Sequence, residues 1–123
     1  MTPLRQQLAT HVPALGETLP WVAAGALRVD EARGLVGRAL PDGRLLQTPV
    51  PPIELRLLLC LARHQGRFVT RDELLWQVWP SDAQPQARTV DQVVRRLRKL
   101  LSAVGLSGAL RSLRGLGYRL DVA

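Results

Sequence analysis

The sequence of 123 residues has few of the features that stabilise secreted proteins or anchor proteins in membranes. Its only cysteine, Cys60, cannot form an internal disulfide bond and is typical of a reducing compartment. The longest apolar run, residues 57–62, is far shorter than the roughly 20 residues that span a bilayer. Residues 1–20 lack the basic start and the apolar block of a signal peptide. We therefore expect a cytoplasmic protein with no membrane partner.

Acidic residues are scarce in the last third of the chain. Residues 88–119, called the basic segment below, contain eight arginine or lysine residues against one acid, Asp91, which gives a net charge of +7. Residues 1–87 contain nine basic residues against eight acids, so the net charge of +7 for the whole chain comes from the basic segment. Because a strongly basic surface favours an anionic partner and membrane features are missing, nucleic acid is the expected partner.

The sequence also lacks the arrangements that carry catalysis or hold a cofactor. His11 has no second histidine, cysteine or acid at metal-ligand spacing, and His64 is better explained as a partner of a helix dipole. No serine or cysteine has a histidine at a familiar catalytic spacing, and no helix follows Gly115 and Gly117 as a nucleotide motif requires. We predict no enzymatic activity, no metal and no cofactor.

Hydrophobic periodicity predicts an α+β domain over residues 21–123, preceded by an arm or linker over residues 1–20. Alternating residues and turn-forming Gly, Pro and Asp predict an antiparallel β-sheet at the start of the domain. The expected strands cover residues 25–29, 34–40 and 44–47, with a further short strand at 67–69.

Two helices are predicted after the first sheet. Pro52 suits the first helical position, where its missing N–H costs nothing, and Gly66 suits the end of this helix. The second helix is expected to begin with a capping box, in which the Thr70 hydroxyl accepts from the Glu73 N–H and Glu73 bonds back. Pro80 ends it.

A third, amphipathic helix is predicted over residues 88–101. Its apolar stripe comprises Val90, Val93, Val94, Leu97, Leu100 and Leu101. The other positions carry Arg88, Gln92, Arg95, Arg96, Arg98 and Lys99. A solvated surface is the ordinary explanation for such residues, but the charge of the basic segment favours contact with phosphates.

Residues 110–120 are predicted to form a two-stranded hairpin around Gly115 and Gly117. A sheet, three helices and a terminal hairpin are the elements of a winged helix-turn-helix. In that fold the third helix enters the major groove of DNA and the hairpin, or wing, reaches a neighbouring groove. Winged helices also bind proteins, so a protein-interaction module or an RNA binder that uses the same basic surface is the alternative.

Residues 25–120, about three quarters of the chain, resemble the DNA-binding effector domain of OmpR/PhoB-type response regulators. The matching motifs lie at residues 52–58, 66–75, 78–79, 88–91, 95–99 and 113–119. The resemblance implies sequence-specific binding of double-stranded DNA for transcription regulation in a two-component system. It further implies a homodimer on direct repeats and contact of residues 80–87 with RNA polymerase.

Position by position, the resemblance implies that Arg96 contacts bases in the major groove, since arginine bonds to guanine O6 and N7. It implies that Arg114 at the tip of the wing, residues 111–119, enters the minor groove, and that Gln92 meets a base. The implied contacts to the DNA backbone are Trp79, Arg88, Thr89, Arg95, Arg98, Lys99, Ser112 and Tyr118.

The sequence departs from the family pattern at several positions. Val93 stands where many members have a phosphate-contacting histidine, and Gln92 stands where an apolar residue often meets a thymine methyl group. Pro51 replaces the usual threonine cap of the first helix, at a cost of about 1 kcal/mol. The receiver domain of the family does not fit into residues 1–20, so we expect no phosphorylation control within this chain.

Overall fold

The computed structural model describes residues 21–83 and 85–122. The arm or linker expected over residues 1–20 lies outside the described residues. In chain order the elements are β1 (Trp21–Ala24), β2 (Leu27–Asp30), β3 (Leu35–Ala39), β4 (Leu45–Pro49), α1 (Pro52–Arg63), β5 (Val69–Thr70), α2 (Arg71–Val78), α3 (Ala87–Ala103), β6 (Leu110–Leu113) and β7 (Gly117–Leu120). This order confirms the predicted winged helix-turn-helix.

Strands β1 to β4 form an antiparallel sheet in sequence order. The expected strand over residues 25–29 is wrong at its start, because Gly25 lies with φ +57° in the turn between β1 and β2. Glycine adopts this left-handed conformation without the steric cost of a side chain. Strand β1 is not predicted as a separate strand, because its residues are all apolar and show no alternation. The expected strands over 34–40 and 44–47 correspond to β3 and β4.

Strands β5, β7 and β6 form a second antiparallel sheet in that spatial order. Val69 pairs with Tyr118, so the short strand expected at residues 67–69 lies slightly later in the chain. A Cβ atom on Gly117 would lie 2.0 Å from the Val69 carbonyl oxygen, so this close approach requires glycine. Gly115, with φ +79°, forms the turn between β6 and β7. The wing is therefore held directly at the start of α2.

Helix α1 lies at the centre of the domain, in contact with β1, α2, α3 and β7. Its buried residues are Glu54, Leu55, Leu57, Leu58, Leu59, Cys60 and Leu61. Residues 57–61 form a continuous buried run because the helix is covered on more than one side. Cys60 is a free, buried cysteine within this run and packs as a small core residue.

The starts of α1 and α2 agree with the sequence. Pro52 occupies the first position of α1, and Pro51 makes no side-chain capping hydrogen bond. The capping box of α2 is confirmed, since the Glu73 N–H donates to the Thr70 hydroxyl oxygen at 3.1 Å. In return, the Thr70 N–H donates to the Glu73 carboxylate at 2.9 Å. Local sequence therefore fixes where both helices begin.

Helix α3 buries the predicted stripe against the rest of the domain. Its buried residues are Val90, Val93, Val94, Leu97 and Leu101, and Leu100 is half-buried. At its end, Arg38 Nε donates to the Val104 carbonyl oxygen at 2.6 Å, which joins α3 to the first sheet. None of the helices in residues 21–83 and 85–122 has the length and apolar composition that crossing a membrane requires.

Candidate nucleic-acid interface

The solvent-exposed surface of α3 carries most of the predicted DNA contacts. We define the basic face of α3 as five of its exposed residues, Arg88, Gln92, Arg95, Arg96 and Lys99. Their spacing of three or four residues places these side chains on one side of the helix. Among the described residues, Arg88, Arg95 and Lys99 have no carboxylate within salt-bridge distance. These three cations are therefore available to an anionic ligand.

Arg96 differs from the other cations of the basic face because it is paired with an acid. Its Nε donates to Glu54 Oε2 at 2.6 Å, and Glu54 belongs to the first turn of α1. The Glu54 side chain is 3% exposed whereas that of Arg96 is 57% exposed. The pair therefore extends from the protein interior to the surface that is predicted to meet the bases.

Asp91 connects three elements behind the basic face. Arg71 Nε of α2 donates to Asp91 Oδ1 at 2.9 Å, and the Tyr118 hydroxyl of β7 donates to the same oxygen at 2.5 Å. We call these three residues the Asp91 cluster. Partial burial raises the pKa of Asp91, but the hydrogen bonds from Tyr118 and Arg71 outweigh burial and hold this pKa below its ordinary value. Burial, followed by the bond to Asp91, raises the pKa of Tyr118.

Tyr118 and Arg98, both predicted to contact the DNA backbone, form bonds within the domain. Tyr118 is buried and its hydroxyl faces Asp91. The Arg98 guanidinium donates from Nε and Nη2 to the Leu110 carbonyl oxygen at 3.3 and 3.2 Å, and it lies 5.9 Å from the Tyr118 ring centroid. Both residues attach the wing to α3, and their contact with DNA stays a prediction.

The tip of the wing is exposed to solvent. Ser112 and Arg114 have exposed side chains, and Arg114 forms no hydrogen bond or salt bridge with another described residue. Leu113 and Leu116 flank Arg114 and are 47% and 41% exposed. An unpaired guanidinium between two apolar side chains suits a narrow groove lined by sugars and phosphates.

The predicted backbone contacts at the ends of α2 and α3 are less exposed. Trp79 is half-buried. Thr89 is half-buried as well, and its hydroxyl accepts from the Gln86 N–H at 3.4 Å, so it helps to start α3. These two residues therefore lie at the edge of the basic face.

Trp76 is an exposed surface residue that was not among the predicted contacts. It is 85% exposed on α2. With Leu75, Trp79 and Pro80 it lines a groove of about 270 Å³, to which residues 81, 83 and 85 also contribute. The sequence contains a signal for this surface, because Trp76 lies two positions from the buried Leu74, on the opposite side of the helix.

The described residues contain no group of three or more His, Cys, Asp or Glu side chains that could hold a metal ion. The surface formed by α3 and the wing is cationic and polar, with apolar side chains beside Arg114. Such a surface is suited to binding an anionic ligand.

Residues 47–120 match the sequence profile of the family described as "Transcriptional regulatory protein, C terminal". The chain belongs to this family. It is an OmpR/PhoB-type winged-helix effector domain of transcriptional regulators, which confirms the resemblance found in the sequence. The family is a regulatory domain and not an enzyme, as predicted.

Curated relatives agree with this assignment. The chain is 42% identical over 98 residues to the transcriptional regulatory protein AfsQ1 of Streptomyces coelicolor, covering 79% of this chain and 41% of that protein. It is 46% identical over 104 residues to the phosphate regulon transcriptional regulatory protein PhoB of Pseudomonas aeruginosa, covering 85% of this chain and 43% of PhoB. The chain therefore spans less than half the length of these relatives.

Solved structures share the fold. The DNA-binding domain of the response regulator AdeR, in complex with an intercistronic region, has a TM-score of 0.70 at 28% identity and covers 80% of this chain and 97% of that chain. The DNA-binding domain of E. coli CadC has a TM-score of 0.71 at 28% identity, with coverage of 87% and 96%.

Proposed function

We propose that this domain binds duplex DNA sequence-specifically to regulate transcription, with α3 in the major groove and the wing in the minor groove. The observation that carries the proposal is that α3, which bears the basic face, is joined to strand β7 of the wing through the Asp91 cluster. An α-helix about 10–12 Å wide fits the major groove of B-DNA, which is about 12 Å wide. Two adjacent cationic surfaces can thus engage neighbouring grooves at once.

Arg96 and Gln92 are the proposed base contacts in the major groove. They lie one helical turn apart on the exposed side of α3. A guanidinium donates two hydrogen bonds to guanine O6 and N7, and a glutamine amide pairs with adenine N6 and N7. Arg114 is the proposed contact in the minor groove, where narrow A·T-rich stretches have a strongly negative potential.

The proposed backbone contacts fix the position of the domain without carrying sequence information. The full set is Trp79, Arg88, Thr89, Arg95, Arg98, Lys99, Ser112 and Tyr118. Exposure and the lack of a salt bridge support Arg88, Arg95 and Lys99. The Arg98 guanidinium keeps Nη1 for a phosphate, whereas Tyr118 must exchange Asp91 for one.

We also propose a homodimer on direct repeats and a contact with RNA polymerase. One domain presents one α3 and one wing and so covers one half-site. Residues 80, 81, 83 and 85 line the same groove as Trp76, and an exposed tryptophan at an apolar groove is typical of a protein contact. Chromosomal DNA as the ligand implies a cytoplasmic location.

The protein-interaction module and the RNA binder are less favoured. A-form RNA has a deep and narrow major groove that side chains cannot reach, so α3 would lose its proposed site. A protein-binding domain does not need exposed arginines on both α3 and the wing tip.

The proposal is tested by fluorescence anisotropy of a labelled random-sequence duplex, titrated with the protein at several salt concentrations. With about six phosphate contacts, we expect log K to fall against log salt with a slope of about −5. Sequencing of the bound fraction should then yield a directly repeated site.

A control variant, Arg44→Ala, removes a charge that is 69% exposed and lies in the turn between β3 and β4, so it should leave the slope unchanged. Absence of binding at low salt would contradict the proposal. Tighter binding to duplex RNA of matched length would favour the RNA alternative.

A further inference from the structure

The Glu54–Arg96 pair places a buried carboxylate directly behind a proposed base contact. Glu54 Oε2 accepts from Arg96 Nε at 2.6 Å, and the two residues are 42 positions apart in the sequence. Glu54 lies in the first turn of α1, at 3% exposure, so its position is set by the core. The Arg96 side chain, by contrast, is 57% exposed to solvent.

This pairing divides the hydrogen-bond donors of Arg96 between two directions. A guanidinium has five N–H groups in a rigid fork. With Nε bound to Glu54, the Nη groups of Arg96 remain for a ligand outside the protein. Because the guanidinium is planar, holding Nε in place also restricts the plane in which the Nη groups can lie. The buried acid thus orients the donors that would meet a guanine.

The same pairing cancels the charge of Arg96. Its neighbour Arg95 has no carboxylate within salt-bridge distance among the described residues, and it only senses the charge of Asp91 one turn away. Arg95 therefore keeps a full charge for phosphates, whereas Arg96 offers directed hydrogen bonds with little net charge. Directed bonds favour one base over another, whereas net charge attracts every sequence alike.

We propose that Glu54 is a specificity-determining positioning residue, which orients Arg96 towards bases and suppresses its attraction to phosphates. This inference rests on the proposed function, in which Arg96 contacts bases. A purely structural salt bridge would join α1 to α3 and influence stability alone. A positioning role also changes the balance between specific and non-specific DNA binding.

The test variant is Glu54→Gln, which keeps an oxygen acceptor for Arg96 Nε but removes the negative charge. Affinity is measured by anisotropy on the selected site and on a scrambled site, each over a range of salt. We expect tighter binding to the scrambled site, with a salt slope steeper by about 0.9 as one further phosphate is neutralised. The ratio of specific to scrambled affinity should fall about fivefold or more.

The matched control is Glu31→Gln, which makes the same chemical change in the exposed turn between β2 and β3. It should leave both the slope and the ratio as in the unmodified chain. A folded Glu54→Gln variant with unchanged slope and unchanged ratio would overturn the positioning role. Equal changes in the two variants would also overturn it, since general charge would then explain them.

A second pair of variants decides the question if Glu54→Gln does not fold, as judged by circular dichroism. Arg95→Gln should make the salt slope shallower by about 0.9, whereas Arg96→Gln should change the slope by less than half of that and reduce the ratio. Equal slope changes would overturn the inference. Failure of the proposed function is distinguishable, because the unmodified chain would then show no preference for any selected site.

Discussion

The first sheet and the unit formed by α3 and the wing both contain arginines but use them in opposite ways. In the sheet and its turns the arginines bond within the domain: Arg28 to the Gly25 and Leu27 carbonyls, Arg33 to Asp30, Arg38 to the Val104 carbonyl and Arg44 to Asp42. On α3 and the wing, the cations with no salt bridge among the described residues are Arg88, Arg95, Arg98, Lys99, Arg111 and Arg114. Of these, Arg98 donates to the Leu110 carbonyl oxygen.

The difference teaches that the distribution of acids, more than the number of arginines, makes a surface available to a polyanion. Asp30 and Asp42 lie within three residues of the arginines that they bind. In the basic segment, Asp91 is occupied by Arg71 and Tyr118 and neutralises no residue of the basic face by direct contact. Arg96 is the one cation of the basic face that pairs with an acid among the described residues, and that acid, Glu54, belongs to α1.

The largest expected effect on stability and binding comes from removing the Arg96 side chain. Arg96→Ala leaves Glu54 buried without its partner, which should lower the free energy of unfolding by about 2–3 kcal/mol because half of the pair is exposed. A separate loss of about 1–3 kcal/mol is expected on specific DNA only. Urea denaturation measures the first effect and anisotropy the second. Equal weakening of specific and scrambled sites would exclude Arg96 as a base contact.

Arg38→Ala tests the claim that arginines of the sheet are structural. It removes the charged donor to the Val104 carbonyl oxygen at the end of α3, so the free energy of unfolding should fall by about 1–2 kcal/mol. The salt slope of DNA binding should not change. A shallower slope in anisotropy titrations would indicate that Arg38 contacts DNA. The first sheet would then not differ from α3 and the wing in how it uses its arginines.

The Asp91 cluster predicts a pH-dependent stability difference. Asp91→Asn should cost about 1–2 kcal/mol at neutral pH, because charged hydrogen bonds to Tyr118 and Arg71 are weakened. The pKa of Asp91 is below its ordinary value in the folded state, so its stabilisation is complete above about pH 5, well above the unfolded pKa, and is lost as pH falls through the folded pKa.

Urea denaturation at a series of pH values measures this difference. The gap between the unmodified chain and Asp91→Asn should be constant near neutral pH and should narrow in acid. A gap that widens as pH falls would contradict the lowered pKa.

The smallest effect on stability is expected for Arg95→Ala, which should stay within about 0.5 kcal/mol because this side chain is exposed. Binding to all DNA sequences should nevertheless weaken alike, with a salt slope shallower by about one unit. An Arg95→Ala variant with the slope of the unmodified chain would remove Arg95 from the phosphate contacts. Together with Arg38→Ala, this variant separates binding charge from structural charge.

Features encoded by neighbouring residues could be predicted from the sequence. The capping box of Thr70 and Glu73 and the helix start at Pro52 follow from local hydrogen-bonding and φ preferences. The buried stripe of α3 follows from its helical period. The start of the first sheet could not be predicted as well, because glycine is compatible with both a turn and a strand and only the structure places Gly25 in a turn.

Contacts between distant residues could not be predicted in the same way. The pairing of Glu54 with Arg96 depends on how α1 crosses α3. The residues around a single glutamate in a leucine-rich helix do not indicate which distant residue it binds. The bond from Tyr118 to Asp91 likewise depends on where the wing returns. The family resemblance supplied expected contacts for Arg98 and Tyr118, but not their bonds inside the domain.

The contact between Gly117 and the carbonyl oxygen of Val69 has a consequence for folding kinetics. It joins β5 to β7 across the stretch of chain that contains α2, α3 and β6, and such long-range pairings form late because the entropy of closing the loop must be lost first. Helix α3, stabilised by local bonds, should form before this closure. We therefore expect a nascent domain to attract nucleic acid by charge alone before it can recognise a sequence, and to gain selectivity only when its last strand is in place.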